Sequence, residues 1–150
     1  MKRFRFTLHP VAVLRAHREM RAREAYAAAV HLFVAAERQL AITRARVAEL
    51  EAVLSDGRRA RFNAADAAAF FRAYRRECVV EQESERKLGA ARAEMQARRD
   101  DYLEAHRQVK VVAKLEDKAR AAHRREAARL EQGEIDEIAG FRAARQPVLT

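Results

Sequence analysis

The fold is decided by residues 26–54, which read YAAAVHLFVAAERQLAITRARVAELEAVL. Two columns of mostly apolar residues repeat every seven positions here: Tyr26, Phe33, Leu40, Val47 and Leu54 form the first, and Ala29, Ala36, Thr43 and Leu50 form the second. Two such positions per seven make a narrow stripe, which is typical of a helix that pairs with one other helix in a coiled coil. A helix on the surface of a globular core would carry a wider apolar face.

The same repeat returns later in the chain, at Leu88, Met95, Tyr102 and Val109, and continues through Glu116, His123 and Leu130. Between the two regions, Ser55-Asp56-Gly57 is typical of a helix end, and Asn63 is a favoured residue at a helix start. Because the connection is short, the helices are expected to lie antiparallel.

The sequence therefore predicts an all-α fold, a long two-helix antiparallel coiled-coil hairpin that forms one domain over residues 1–150. We expect a first helix over about 10–54, a loop over 55–63, a second helix over about 64–139, and a frayed tail over 140–150.

The composition supports this fold class and excludes others. Ala accounts for 34 of the 150 residues, whereas the chain holds only 4 Gly, 2 Pro and no Trp. Sheets need turns rich in Gly, Pro, Asn and Asp, so β and α/β folds are excluded. Bulky apolar side chains are also too scarce to close a buried catalytic pocket, so we expect no catalytic residues and no enzyme activity.

The sequence predicts no membrane insertion. Its longest uncharged run, Ala25 to Ala36, has 12 residues, whereas a membrane-spanning helix needs about 20. The basic N-terminus is not followed by the apolar stretch and cleavage site of a secretory signal. We therefore expect a soluble, cytoplasmic protein.

Metal and cofactor sites are not expected either. The five histidines include no pair four positions apart, and no cysteine accompanies them. Zinc sites need such ligands at short spacings. The single cysteine, Cys78, is interpreted as a small packing residue rather than a reactive thiol.

The predicted helices differ in length, and this difference predicts a binding surface. If the whole first helix pairs with the start of the second, pairing stops near Gln108, and residues 109–139 overhang. Apolar residues still occur there: Val109, Val111, Val112, Leu115, Leu130, Ile135 and Ile138. An unpaired apolar stripe marks an interaction site. We therefore expect the overhang, with the N-terminal arm (residues 1–9) beside it, to contact another protein.

Basic residues mark the same region. A row that we call the basic stripe falls on one helix face and comprises Arg107, Lys110, Lys114, Lys118 and Arg125. In a chain with a net charge of +9, such a row fits an anionic partner, either nucleic acid or an acidic protein surface. It also fits the solvated flank of a coiled coil. A nucleic-acid-binding coiled coil and a generic coiled-coil scaffold therefore remain alternatives.

An aromatic cluster, Phe70, Phe71 and Tyr74, lies near the start of the second helix. Adjacent helix positions are 100° apart, so the three rings cannot all face one narrow seam. We expect at least one ring to be exposed, and the cluster either plugs the loop end of the hairpin or forms a docking patch.

Three stretches resemble the flagellar export protein family FliJ. The first is Phe4-Arg5-Phe6-Thr7-Leu8-His9-Pro10-Val11, the second is Val109-Lys110-Val111-Val112-Ala113-Lys114-Leu115-Glu116, and the third is Glu131-Gln132-Gly133-Glu134-Ile135-Asp136-Glu137-Ile138-Ala139. Their order and spacing agree with the family over nearly the whole chain. The stalk proteins of virulence-type secretion systems are closely similar.

The resemblance implies a non-enzymatic component of the flagellar type III export apparatus. FliJ proteins are antiparallel coiled coils that sit in the pore of the export ATPase hexamer, stimulate it, and contact the export gate protein FlhA and export chaperones. The resemblance thus implies a cytoplasmic protein, peripheral to the membrane-embedded apparatus, with no cofactor and no nucleic acid as partner.

Two sets of site residues follow from the resemblance. It implies contact with the ATPase ring through Phe4, Phe6, Arg107, Lys110, Lys114, Lys118, Gln132, Asp136 and Glu137. It also implies docking to the gate protein through a helical row, which we call the docking row: Phe71, Arg75, Cys78 and Gln82. Arg75 departs from the apolar residue that the family carries there.

Overall fold

The fold is that of an all-helical hairpin. A computed structural model of the chain describes residues 3–59 and 63–144, apart from the side chains of Arg58 and Arg59. These residues form two long helices, α1 (His9–Arg59) and α2 (Ala64–Ala144), and contain no strand. The two helices pack against each other, which confirms the predicted fold class.

The contacts of the chain divide it into two compact units. One unit comprises residues 19–104, and the other comprises residues 1–18 with residues 105–150. In the first unit, Tyr26 stacks on Tyr102 with ring centroids 6.2 Å apart, and the Arg92 guanidinium lies 5.8 Å from the centre of the Phe33 ring. As the residue number on α1 rises from 26 to 33, that of the partner on α2 falls from 102 to 92. The helices of this unit are therefore antiparallel.

The seam of this unit follows the seven-residue columns. Ala29, Leu40, Thr43 and Val47 are buried on α1, and Ser84 is buried on α2. The two buried hydroxyls need no partner across the seam, because Thr43 donates to the Gln39 carbonyl and Ser84 to the Val80 carbonyl, each at 2.9 Å. The seam can therefore stay narrow without leaving these hydroxyls unsatisfied.

One ion-pair cluster joins the helices beside the seam. Arg44 donates to Glu81 at 3.3 Å and to Glu85 at 2.8 Å, and these two carboxylates lie one turn apart on α2. The hydrogen bond to Glu85, with a further one to Glu81, raises the pKa of Arg44. Exposed ion pairs of this kind add little stability.

The predicted end of the first helix is wrong, because α1 continues past Leu54 and through Ser55-Asp56-Gly57 to Arg59. Gly57 lies seven residues after Leu50 and is buried. It thus occupies a seam position, where a small residue fits. The predicted loop over 55–63 is therefore helical up to residue 59, and residues 60–62 lie outside the described part.

The start of α2 at Ala64 agrees with the sequence prediction. The Asn63 side chain caps the helix by accepting a hydrogen bond of 2.8 Å from the Asp66 backbone N–H. The predicted end is wrong, because α2 continues beyond Ala139 and Gly140 to Ala144. The tail is thus helical over residues 140–144, and residues 145–150 lie outside the described part.

Replacing Gly89 by Ala should stabilise the hairpin. Gly89 lies inside α2, and an added Cβ would meet nothing within 4 Å. The gain in the free energy of unfolding should be about 1 kcal/mol, because Gly has the larger backbone entropy to lose in a helix. Urea unfolding followed by far-UV circular dichroism measures it.

Gly133 provides the matched control, since an added Cβ there also meets nothing within 4 Å. It lies in a part of α2 where every residue is exposed. Gly133→Ala should therefore leave the main unfolding transition unchanged. An equal shift of the transition in both variants would contradict this difference in packing.

Candidate protein-binding surfaces

The N-terminal arm packs on α2 through its alternate residues. Phe4 and Phe6 are half-buried, whereas Arg3, Arg5 and Thr7, which alternate with them, are exposed. The Phe4 ring meets the His123 ring edge-on, with centroids 5.5 Å apart, and the Arg120 guanidinium lies 5.4 Å from the Phe4 ring centre. The Phe4 ring thus serves the chain's own fold.

The predicted overhang is wrong for its first half, because the arm and the first turns of α1 cover it. Arg15 donates a hydrogen bond of 3.3 Å to the Gln108 carbonyl, and Phe4 reaches His123. Val112, which was expected to lie on an unpartnered stripe, is only 3% exposed. The difference arises because the extended arm packs on α2, and the lengths of the helices alone do not include it.

The second half of the overhang is uncovered. Every residue from Ala128 to Ala144 is exposed, and we call this segment the exposed end. Four large apolar side chains lie in it: Leu130, Ile135, Ile138 and Phe141. Leu130 follows His123 by seven residues, so the apolar stripe continues the line of the seam beyond the last arm contact. The exposed end is therefore a candidate site for a partner helix.

Phe141 is an exposed residue of this segment that the sequence did not predict. Its side chain is 73% exposed, the highest value among the large apolar residues of the described part. Gly140 was interpreted as the end of the helix, which placed Phe141 in a tail. The spacing could have revealed it, since Phe141 follows Leu130 by eleven residues, three helical turns, and so shares its face.

The basic stripe lies on a different face from the seam. Its five members are all exposed. Lys110 and Lys114 each lie two positions from the buried Val112, which puts them about 200° around the helix from it. The resemblance implies that Phe4, Phe6 and these lysines all contact the ATPase ring. They do not share one continuous surface, because the two phenylalanines are half-buried and the lysines face away from the seam.

The remaining implied ring residues lie in the exposed end. Gln132 donates a hydrogen bond of 2.8 Å to Asp136, four residues on, and Glu137 is exposed beside them. Together with Glu131 and Glu134, they give the exposed end an acidic character that the basic stripe lacks.

The docking row faces solvent in three of its four members. Phe71, Arg75 and Gln82 are exposed, and Cys78 is half-buried. The Phe71 side chain is 44% exposed, which confirms that at least one ring of the aromatic cluster is accessible. Val79, which the sequence analysis did not single out, adds another exposed apolar side chain in this part of α2.

Tyr74 has a structural partner. Its hydroxyl donates a hydrogen bond of 2.9 Å to the Glu51 carboxylate of α1. This bond, with a further one to Cys78, raises the pKa of Tyr74 to about 12. The protonated phenol is thus favoured as the donor to Glu51, and Tyr74 links the two helices near the docking row.

Within residues 3–59 and 63–144, no group of three His, Cys, Asp or Glu side chains could hold a metal ion. In the same part of the chain, neither helix has a stretch long and apolar enough to cross a membrane.

Comparison with known proteins gives one result. The family model described as "Flagellar FliJ protein" matches residues 4–147. No curated protein and no solved structure matches the chain. The matched range includes all three stretches on which the resemblance was based and spans nearly the whole sequence, and the chain therefore belongs to the FliJ family.

Proposed function

We propose that this chain is the stalk-like coiled coil that engages and stimulates the export ATPase ring and links it to the export gate. The FliJ family is a non-catalytic component of flagellar protein export. The observation that carries the finer proposal is the exposed end of α2. A helical segment whose seam stripe continues without a partner is suited to packing against another protein.

The ring contact is proposed to combine the exposed end with the basic stripe. Leu130, Ile138 and Phe141 supply apolar surface, and the exposed Lys110, Lys114 and Lys118 supply positive charge. Apolar contacts favour association, and charge complementarity orients the partners. The direct test is to add the purified chain to the purified export ATPase, and an unchanged rate of ATP hydrolysis would contradict the proposal.

The gate contact is proposed to lie at the docking row. Replacing Phe71 by Ala should weaken binding to the gate protein FlhA by roughly tenfold or more, because an exposed aromatic anchor often carries much of the binding energy. The helical content should not change, since Phe71 is an exposed residue outside the seam. A pull-down with purified FlhA measures the binding, and circular dichroism the helicity.

Phe141 offers a matched control for this experiment. It is another exposed phenylalanine of α2, and Phe141→Ala should leave gate binding unchanged. Gate binding that survives Phe71→Ala, or that both variants weaken equally, would remove the docking row from the proposal.

The remaining partners follow from the same role. Export chaperones are proposed to bind the chain when it is carried by the ATPase, and the protein is proposed to act in the cytoplasm, peripheral to the membrane-embedded apparatus. Membership in the FliJ family supports this place in the export machinery.

A further inference from the structure

The net charge of the chain is concentrated in two segments. Residues 1–18 contain five basic and no acidic residues, and residues 105–127 contain seven basic and three acidic residues. Their combined charge equals the +9 of the whole chain, so the rest is neutral in sum. Both segments belong to the same compact unit. The proposed function uses the charge of residues 105–127 through the basic stripe. It gives no role to the charge of residues 1–18.

One face of α1 combines this charge with exposed apolar side chains. Leu8, in the turn just before α1, and Val11 and Leu14, within α1, are all at least one-third exposed, and Arg18 follows Leu14 by one turn. The spacing places Val11, Leu14 and Arg18 within about 60° of the helix circumference. We call these three residues, with Leu8 just before the helix, the N-terminal face. The exposed Arg3 and Arg5 of the arm precede it in the chain.

The chemistry of the N-terminal face distinguishes between possible ligands. Nucleic acid would pair with the arginines but would leave the leucines and valine in water, because its outer surface is phosphate and sugar. The surface of an anionic bilayer takes both, since basic side chains meet the headgroups while apolar side chains enter the boundary of the acyl chains. A basic helix with exposed apolar residues is typical of such interfacial binding.

We propose that the N-terminal face of α1 adsorbs to the surface of an anionic lipid bilayer. Leu8, Val11 and Leu14 enter the interface, and Arg18, with Arg3 and Arg5, binds the lipid phosphates. No spanning helix is involved, because α1 lies along the surface. Phe4 remains packed on α2, so the interaction needs no unfolding of the arm. It requires neither the ATPase nor the gate protein, and it goes beyond the proposed function.

Co-sedimentation of the full chain with vesicles tests the proposal without any other protein. Vesicles of phosphatidylcholine that contain phosphatidylglycerol should pellet the chain at low salt. Vesicles of phosphatidylcholine alone should not, and high salt should release the bound chain. Pelleting by both kinds of vesicle to the same extent, or by neither, would overturn the proposal.

Two pairs of variants test the face itself. Leu14→Glu and Val13→Glu change adjacent residues that are 51% and 56% exposed, but the two positions lie 100° apart on the helix. Leu14→Glu should lower vesicle affinity by roughly tenfold or more and Val13→Glu by roughly threefold or less. Arg18→Glu should act like Leu14→Glu, whereas Arg38→Glu, the same charge change in the other unit, should have little effect.

The outcomes separate this proposal from its alternatives. Equal losses of vesicle affinity in both members of each pair would show that net charge, rather than the N-terminal face, drives binding. That result would overturn the proposal. A mobility shift with duplex DNA at protein concentrations that leave vesicles unbound would show that these basic residues bind nucleic acid instead, and would also overturn the proposal. Circular dichroism of each variant checks that the helices persist. A chain that binds vesicles but does not stimulate the ATPase would contradict the proposed function alone.

Discussion

Truncation after Ala127 should abolish stimulation of the export ATPase while leaving the hairpin folded. The deletion removes the exposed end, including Leu130, Ile138 and Phe141, none of which is buried in the chain's own fold. The proposed contact with the ATPase ring is thus lost, and the rate of ATP hydrolysis should fall to that of the ATPase alone. A phosphate-release assay at saturating concentrations of the chain measures this.

The cut site is chosen so that the arm keeps its support. A shorter chain ending at Gln108 would also lose Arg120 and His123, which hold Phe4. Any loss of stimulation would then have two explanations. With the cut after Ala127 these contacts remain, and circular dichroism should show the same midpoint of unfolding as the full chain. Full stimulation by the truncated protein would show that the exposed end plays no part in the ring contact.

Replacing Leu40 by Ala should destabilise the hairpin by about 2–4 kcal/mol. Leu40 is 6% exposed and lies at the seam between the helices. Shortening it removes buried apolar surface and leaves a cavity that the neighbouring residues fill only in part. The loss is large for a two-helix seam that contains few bulky residues. Urea unfolding followed by circular dichroism gives the change in the free energy of unfolding.

Leu32 provides the control for the same chemical change. It lies on α1 one residue from a seam position, but its side chain is 65% exposed. Leu32→Ala should therefore change the free energy of unfolding by less than about 0.5 kcal/mol. A similar loss for both variants would mean that the seven-residue columns do not define the seam.

The seam could be predicted from the sequence because it depends on local periodicity. A side chain that recurs every seven residues returns to the same helix face wherever the partner lies. Tyr26, Leu40 and Val47 therefore identified the inner face of α1 before any partner was known. The Asn63 cap was predictable for the same reason, since its hydrogen bond to Asp66 spans three residues.

The helix ends could not be predicted in this way, because two glycines carried conflicting signals. Gly57 and Gly140 favour termination when only their neighbours are considered. Gly57 is nevertheless helical, since tertiary packing at a seam position outweighs a propensity of about 1 kcal/mol. The wrong helix end at Gly140 matters for function, because it places Phe141 in a tail rather than on the exposed end of α2.

The binding surfaces were only partly predictable, since exposure depends on what the rest of the chain covers. Alternation in residues 3–8 indicated an extended arm, but nothing local indicated that Phe4 would pack on His123 and Arg120. The extent of the overhang depended on this long-range contact. By contrast, the exposure of Lys110 and Lys114 followed from their spacing alone, because they lie opposite a seam column.

The cluster of Arg44 with Glu81 and Glu85 has a consequence for the register of the hairpin. Glu77 lies four residues before Glu81, so carboxylates repeat at every turn along this side of α2. If α2 slipped by one turn, Arg44 would face Glu77 and Glu81, and the number of ion pairs would not change. The same slip would bring Lys87 to the half-buried position now held by Ala91, three residues after Leu88, and would partly desolvate its charge. The ion pairs of Arg44 therefore do not distinguish the two alignments, and the native one is selected by the packing of the seam and by contacts such as the Tyr74–Glu51 hydrogen bond.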